Sequence, residues 1–447
     1  MSVTLTFDAA RRKTYRESGY WGDASLGDYW RQTARAVPDK IAVVDNHGAS
    51  WTYAALDCAA SRLANWLLSQ GIQPGDRVAF QLPGWCEFTL IYLACLKTGA
   101  VSVPLLPAWR EAELVWVLNK CQAKIFFAPT VFKQNRPVDL ILPLQNQLRH
   151  LTHIVGVDKL APATTALALS QIIDRSEPLQ SDINIHGDEL AAVLFTSGTE
   201  GMPKGVMLTH NNILASERAY CARLNLTWQD VFLMPAPLGH ATGFLHGVTA
   251  PFLIGARSVL LDIFTPEACL TLLAQQRCTC MSGATPFIYD LLCAVEQQPA
   301  DLSSLRFFLC GGTTIPKKVA RDCQQRGIKI TGRKKDIIIR GGENISSREV
   351  EDILLQHPRI HDACVVAMPD ERLGERSCAY VVLKPPHLSL TLEEVIAFFS
   401  RKRVAKYKYP ERIVIVEKLP RTASGKVQKF LLRQDIIERL RQEHTAV

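Results

Sequence analysis

The stretch from Leu194 to His210, LFTSGTEGMPKGVMLTH, runs from an apolar segment straight into Thr196, Ser197, Gly198, Thr199, Glu200, Gly201 and Lys204. Side chains this small cannot fill a core. They suit a loop whose successive backbone N–H groups point inward at something negative, with hydroxyls adding donors and Lys204 adding a mobile point charge. That is the make-up of a polyphosphate cradle. It is not a Walker A loop, which needs Gly-Lys-Ser/Thr together. The plain alternative is a surface hairpin tip rich in Gly and Pro.

Three more stretches carry chemistry. In LPRTASGKVQK, Lys426 sits behind a Thr-Ala-Ser-Gly turn, where it could swing toward a reaction centre and neutralise charge; an ordinary solvated lysine is the alternative. GRKKDIIIRGGENISS sets a basic cluster before a strand and a Gly-Gly turn, and reads equally as a linker with a solvated charge run. PLGHATGF carries His240, whose ring could exchange a proton near neutrality or simply be a satisfied structural histidine.

The elements that must position these residues are those of an α/β protein. WTYAALDCAASRLANWLLSQG has helical spacing and stops at Gly71, PGDRVAFQL is a turn feeding a strand, and WCEFTLIYLACLKTGAVSVPL is a helix ending near Gly99 followed by a strand. AKIFFAP, HIVGV, ELAAVLFT, DVFLMPAP and LRFFLCGG read as strands buried on both faces, as in doubly wound sheets. After about Thr331 the texture changes to a small α+β module. SSREVEDILLQH opens with a capping box, Ser346 to Glu349, and TLEEVIAFFSRKRV with another, Thr391 to Glu394. DACVVAMPD, SCAYVVLK and ERIVIVEKLP are strands, and a basic helix closes the chain. The division is therefore 1–330, a large domain, and 331–447, a small mobile one.

Composition fits. The 447 residues are 47% hydrophobic and 21% charged, with 51 basic against 43 acidic side chains, net +8. That excess suits anionic substrates and allows weak peripheral attachment to a membrane surface, but it is too small to argue for nucleic acid. RKRVAKYK, Arg401 to Lys408, could attract anionic phosphates, though a bare charge run is usually a solvated face; a nucleic-acid platform would need interleaved aromatics, and there is none beyond Tyr407 and Tyr409. The N-terminus has no apolar signal segment and no apolar run reaches spanning length, so a cytoplasmic location is expected. Thirteen scattered cysteines, with Cys278 and Cys280 the one tight pair, read as reduced, mostly buried thiols rather than a zinc site.

In this order these stretches resemble the adenylate-forming superfamily of acyl-CoA synthetases, aryl-CoA ligases, luciferases and peptide-synthetase adenylation domains. Within it the chain is most similar to bacterial fatty acyl-CoA synthetases acting on short or medium chains. The resemblance implies that ATP, with Mg²⁺, activates a fatty acid to an acyl-adenylate, and that the thiol of coenzyme A then displaces AMP. It implies that Thr196, Ser197, Gly198, Thr199, Glu200, Gly201 and Lys204 serve the phosphates. Lys426 would bridge the acyl carboxylate and the α-phosphate, and His240 would stand at the acyl pocket and gate the thiol. Arg333 would meet ribose, Lys335 would be the hinge, and Gly341, Gly342 and Glu343 would border the coenzyme A channel. ATGFLHGVTAPFLIGA and MSGATPFIYDLL would line an apolar acyl pocket.

One departure stands out. The superfamily carries a long segment between stretches resembling LCGGTTIPKKVARDCQQRGIK and ITGRKKD, holding a tyrosine for adenine, a glutamate for Mg²⁺ and an aspartate for ribose. Here Ile330 follows Lys329 at once. A piece about as large as a small domain is absent, so an open sheet edge, exposed apolar surface, weak ATP binding and little adenylation are expected. A catalytically inactive acyl- or CoA-binding remnant is the rival reading.

Overall fold

The computed structural model describes residues 8–157, 159, 167–181, 183–196, 203–310, 317–331, 338–386, 389–420 and 427–445. The chain forms two compact units, one of 1–107, 115–194 and 205–281, the other of 108–114, 195–204 and 282–447. The second unit thus begins well before residue 331 and takes in two short earlier stretches.

The first unit is a parallel-sheet protein with helices between the strands. One sheet runs, in spatial order, Leu167–Ala168, His153–Val157, Ala123–Pro129, Arg77–Phe80, Val101–Pro104, Leu190–Thr196 and Lys204–Thr209. Its pairs from Leu167 across to Leu190 are parallel. The chain enters near the middle and winds out to both sides, which is the doubly wound pattern expected from the sequence. A second sheet of this unit pairs Ile41–Asp45 in parallel with Arg257–Leu260, which pairs with Val231–Met234, which pairs with Cys280–Gly283.

Local chemistry sets the helix ends. Thr52 caps the helix Tyr53–Ser69 by accepting from the Ala55 N–H, and Gly71 turns the chain away at φ 78°. The helix Cys86–Thr98 is buried almost all round and ends on Gly99 at φ 70°. Being apolar on every side, it belongs inside a layered fold rather than on its surface.

The second unit contains a five-stranded sheet. Glu343–Ile345 pairs with Ile338–Arg340, which meets Gly374–Leu383; that long strand also pairs with Ile360–Asp370 and, in parallel, with Arg412–Ile415. Alternation along Ile360–Asp370 separates two cores. Ala363 and Val365 join Val350, Leu354, Val395 and Phe399, whereas Cys364 and Val366 join Leu432 and Ile436. The capping box at Thr391 and Glu394 is complete. The one expected at Ser346 is only half made. Ser346 accepts from the Glu349 N–H, but the Glu349 carboxylate is taken by Lys408, Nζ to Oε1 2.6 Å.

Lys329–Thr331 pairs in parallel with Phe307–Cys310, with Phe308 opposite Ile330, and is the last strand in its sheet's order. The expected open edge is therefore where Lys329 meets Ile330. The expected exposed apolar surface is not seen there: between 282 and 345 no large hydrophobic side chain is exposed among the described residues. Ile328 is buried, Lys329 faces solvent and Ile330 is half-buried.

Candidate active site

The first candidate element is the connection between two neighbouring strands, Leu190–Thr196 and Lys204–Thr209. Apolar packing buries Ala191 to Phe195, and Thr196 emerges exposed at the strand's end. Its hydroxyl donates to the Lys204 carbonyl at 3.5 Å, tying together the two residues that flank the loop. Ser197, Gly198, Thr199, Glu200 and Gly201 lie outside the described residues, as do Arg333, Lys335 and Lys426.

His240 follows a tight turn in the first unit. Its N–H donates to the Pro237 carbonyl at 3.1 Å, and Nδ1 accepts from the Thr242 N–H at 3.3 Å. A ring that accepts at Nδ1 carries its proton on Nε2 when neutral. Burial lowers the imidazole pKa, so near neutral pH the ring is the uncharged form. The turn has no slack. A Cβ on Gly239 would come within 2.4 Å of the Leu105 carbonyl oxygen, and one on Gly243 within 2.3 Å of that of Pro237.

A π-helix follows at Thr242–Thr249, a geometry that is rare and concentrates at functional sites. Phe244, Val248 and Phe252 are core residues, with the Phe244 ring 4.6 Å from that of Tyr92. Much of the stretch expected to line a pocket is thus packed inside. The side left accessible carries Ala241, Thr242, Leu245 and His246. It is not purely apolar. His246 Nδ1 is 2.9 Å from Oε2 of Glu217, a fully buried carboxylate, and the His246 ring stacks on Tyr220 at 4.2 Å. Sequence reading missed this pair. A glutamate on the inner face of the helix His210–Arg223 was the available signal.

In the second unit Gly341 and Gly342 form the turn of the hairpin 338–345, with Arg340 opposite Glu343. Both have positive φ, 59° and 95°, as a two-residue turn of the mirror-image type requires. A Cβ on Gly342 would also meet that of Ala284 at 2.5 Å. Glu343 is half-buried. Burial raises its carboxyl pKa, and Lys408 and Arg340 oppose the rise. Arg340 itself is committed to Glu411 by two hydrogen bonds of 2.9 and 2.8 Å.

The basic run is partly reassigned. Lys408 is 2% exposed and paired with Glu349, so it cannot serve solvent-borne phosphates. Tyr407 and Tyr409 pack against the module's core, which removes them as a stacking platform. Arg401, Lys402, Arg403 and Lys406 stay at the surface.

The thiols fall as expected: all thirteen are free and most are buried. Cys278 and Cys280 donate to the carbonyls of Leu272 and Val231, and burial pushes the Cys278 pKa up to about 12.

With this geometry in place, known families decide the matter. The family model described as AMP-binding enzyme matches residues 30–333, and that of the AMP-binding enzyme C-terminal domain matches 349–426. The chain belongs to the AMP-binding enzyme family. A medium-chain fatty-acid–CoA ligase of Escherichia coli K12 is 68% identical over a span taking in 99% of this chain and 96% of that protein. That relative bears out the reading of the chain as an AMP-forming acyl-CoA synthetase, and with it ATP and coenzyme A as co-substrates. The match runs over 542 residues although this chain has 447, so the excess is made of positions that no residue here faces.

Solved structures agree on the fold. An o-succinylbenzoate CoA synthetase of Bacillus subtilis superposes with a TM-score of 0.75 at 21% identity, covering 92% of this chain and 99% of that one. The apo MbtA structure of Mycobacterium smegmatis does so with 0.67 at 26%, covering 96% and 98%. No described helix is long and apolar enough to cross a membrane.

Proposed function

We propose that the chain descends from an enzyme that activates medium-chain fatty acids for thioester formation with coenzyme A. The 68% identity to the Escherichia coli ligase carries this reading. A carboxylate is a poor acyl donor because its leaving group would be oxide. Attack of its oxygen on the α-phosphate of ATP forms the acyl-adenylate and expels pyrophosphate. The thiol of coenzyme A then attacks the acyl carbon and AMP departs.

The main barrier in the first step is an anion approaching a polyanion, so fixed donors and cations are the main lever. Residues 196–201 and Lys204 are assigned to the β- and γ-phosphates, and Lys426 to the charge at the reacting centre. Neutral His240 is assigned to the mouth of the acyl pocket, where an uncharged ring admits both an acid and a thiol. The accessible side of the π-helix is assigned to the acyl chain. Arg333 and Lys335 are assigned to ribose and hinge, and Gly341, Gly342 and Glu343 to the pantetheine passage. Mg²⁺ would supply charge neutralisation between phosphates; no described group of three or more His, Cys, Asp or Glu side chains could hold it.

A second reading has its own support. The positions of the relative that no residue faces, together with the abrupt Lys329–Ile330 junction, favour an internal loss that removes the adenine platform, the ribose clamp and a metal carboxylate. On that basis the present chain binds ATP weakly and adenylates little. The sequence boundary at 330/331 and a cytoplasmic location belong to the same proposal. Fatty-acid-dependent pyrophosphate exchange is the test, with acids of graded length. Exchange at the rate of intact relatives would refute impairment. Calorimetry with ATP, fatty acid and coenzyme A separately distinguishes a remnant: acyl or CoA binding without ATP binding.

A further inference from the structure

The helix His210–Arg223 turns one face inward, and along it Ile213, Leu214 and Cys221 are buried. Glu217 falls on the same stripe, three or four residues from each of them, and its side chain has no exposure at all. A buried carboxylate is expensive, and a leucine would close the same space without that cost. The charge calls for a reason.

Both of its oxygens are used. Oε1 accepts from the Ser216 hydroxyl at 3.1 Å, and Oε2 lies 2.9 Å from His246 Nδ1. His246 comes from the π-helix Thr242–Thr249. Its ring is held a second time by Tyr220, one turn on from Glu217, whose ring stacks on it with centroids 4.2 Å apart. The imidazole is thus fixed by its edge and by its face before any ligand arrives.

The second ring nitrogen is left over. Nδ1 and Nε2 occupy different edges of the ring, so turning Nδ1 to the buried carboxylate turns Nε2 away from it. Nε2 has no hydrogen-bond partner among the described residues, and 20% of the side chain is exposed, on the accessible side of the π-helix with Thr242 and Leu245. A carboxylate only accepts. The uncharged ring therefore keeps its proton on Nδ1 and offers Nε2 as an acceptor, while a charged ring offers Nε2–H as a donor. A hydroxyl pairs with either form. A plain alkyl chain pairs with neither and leaves a positioned polar atom facing hydrocarbon.

We infer that His246 is a specificity-determining residue that takes a hydroxyl group carried on the acyl chain, and that Glu217 is the residue that positions it. The substrate class favoured is a hydroxylated medium-chain fatty acid over an unsubstituted one. This rests on the assignment of the accessible side of the π-helix to the acyl chain.

Calorimetry of the full chain with octanoate and with the positional isomers of hydroxyoctanoate is the test, and it uses neither ATP nor coenzyme A. The isomer whose hydroxyl reaches Nε2 binds about tenfold more tightly than octanoate. In His246→Phe, which keeps an aromatic ring against Tyr220, the ratio between that isomer and octanoate falls to about one. His246→Gln, whose amide still donates and accepts, keeps part of the ratio, a rescue that a merely structural histidine would not show. Glu217→Gln lowers the ratio as well, because an amide no longer holds the ring proton on Nδ1. Reading a ratio removes any general loss of affinity that the substitutions bring, and the parent comparison stands by itself should a variant fail to fold. Octanoate bound at least as tightly as every isomer overturns the inference and leaves the acyl assignment standing, as does a ratio undiminished in His246→Phe. A chain that binds neither octanoate nor any isomer overturns both.

Discussion

Glu217 in the first unit and Glu349 in the second are both withdrawn from water, and they are partnered by different groups. Glu217 faces an imidazole, that of His246, and accepts a further hydrogen bond from Ser216 at 3.1 Å. Glu349 faces the ammonium of Lys408, which is as buried as itself, and leaves Oε2 without a hydrogen bond. Burial raises the Glu349 pKa against the pull of that ammonium. The imidazole beside Glu217 also stacks on Tyr220, and that carboxylate keeps both oxygens hydrogen-bonded. An ammonium partner makes the second rigid, because losing either member strands a charge in a dry interior.

The largest effect that could break this comparison is Lys408→Met. It should cost about 3–5 kcal/mol in urea unfolding of the full chain, and adding Glu349→Leu should restore most of the loss. A cost below about 1 kcal/mol would mean that the pair is far wetter than its burial implies.

Next comes acidification. His210 is 2% exposed and accepts at Nδ1 from the Leu26 N–H at 3.2 Å. Burial holds its pKa at about 4, below the usual histidine range. The unfolded chain therefore binds a proton between about pH 6.5 and 4 that the folded chain refuses, and stability falls as pH drops through that window, by about 3 kcal/mol in all. Unfolding midpoints across the window check this, and His210→Gln should flatten the dependence. A smaller effect is expected of Glu217→Gln, which keeps a hydrogen-bond acceptor beside His246: about 1–3 kcal/mol, with the change in fatty-acid affinity read by calorimetry. A Glu217→Gln variant as costly as Lys408→Met would erase the contrast between the two carboxylates. Thr196→Val should be the mildest, under about 1 kcal/mol by thermal melting, because its single bond to Lys204 is long and exposed.

Sequence reading succeeded where a physical rule acts locally. Apolar runs bounded by Gly or Pro became the parallel strands, Gly71 and Gly99 ended the helices before them, and Gly341 and Gly342 formed the turn their spacing implied. It failed where a partner comes from far along the chain. Nothing near Lys408 in sequence indicates that Glu349 will draw it out of a run of surface cations, and the same capture leaves the Ser346 capping box half made. Glu217 and His246 are likewise joined only by folding. The phosphate loop and Lys426 were legible as motifs, yet most of these residues lie outside the described residues, so their roles remain proposals.

The strand Lys329–Thr331 has a final consequence. Three residues offer too short a ladder for another chain to extend, and a lysine at the rim discourages the attempt. With its shortest commitment at the border, the sheet keeps every interior strand flanked on both sides. The border of this sheet is therefore a poor template for a strand from a second copy, and replacing Lys329 with an apolar residue should make edge-to-edge pairing easier.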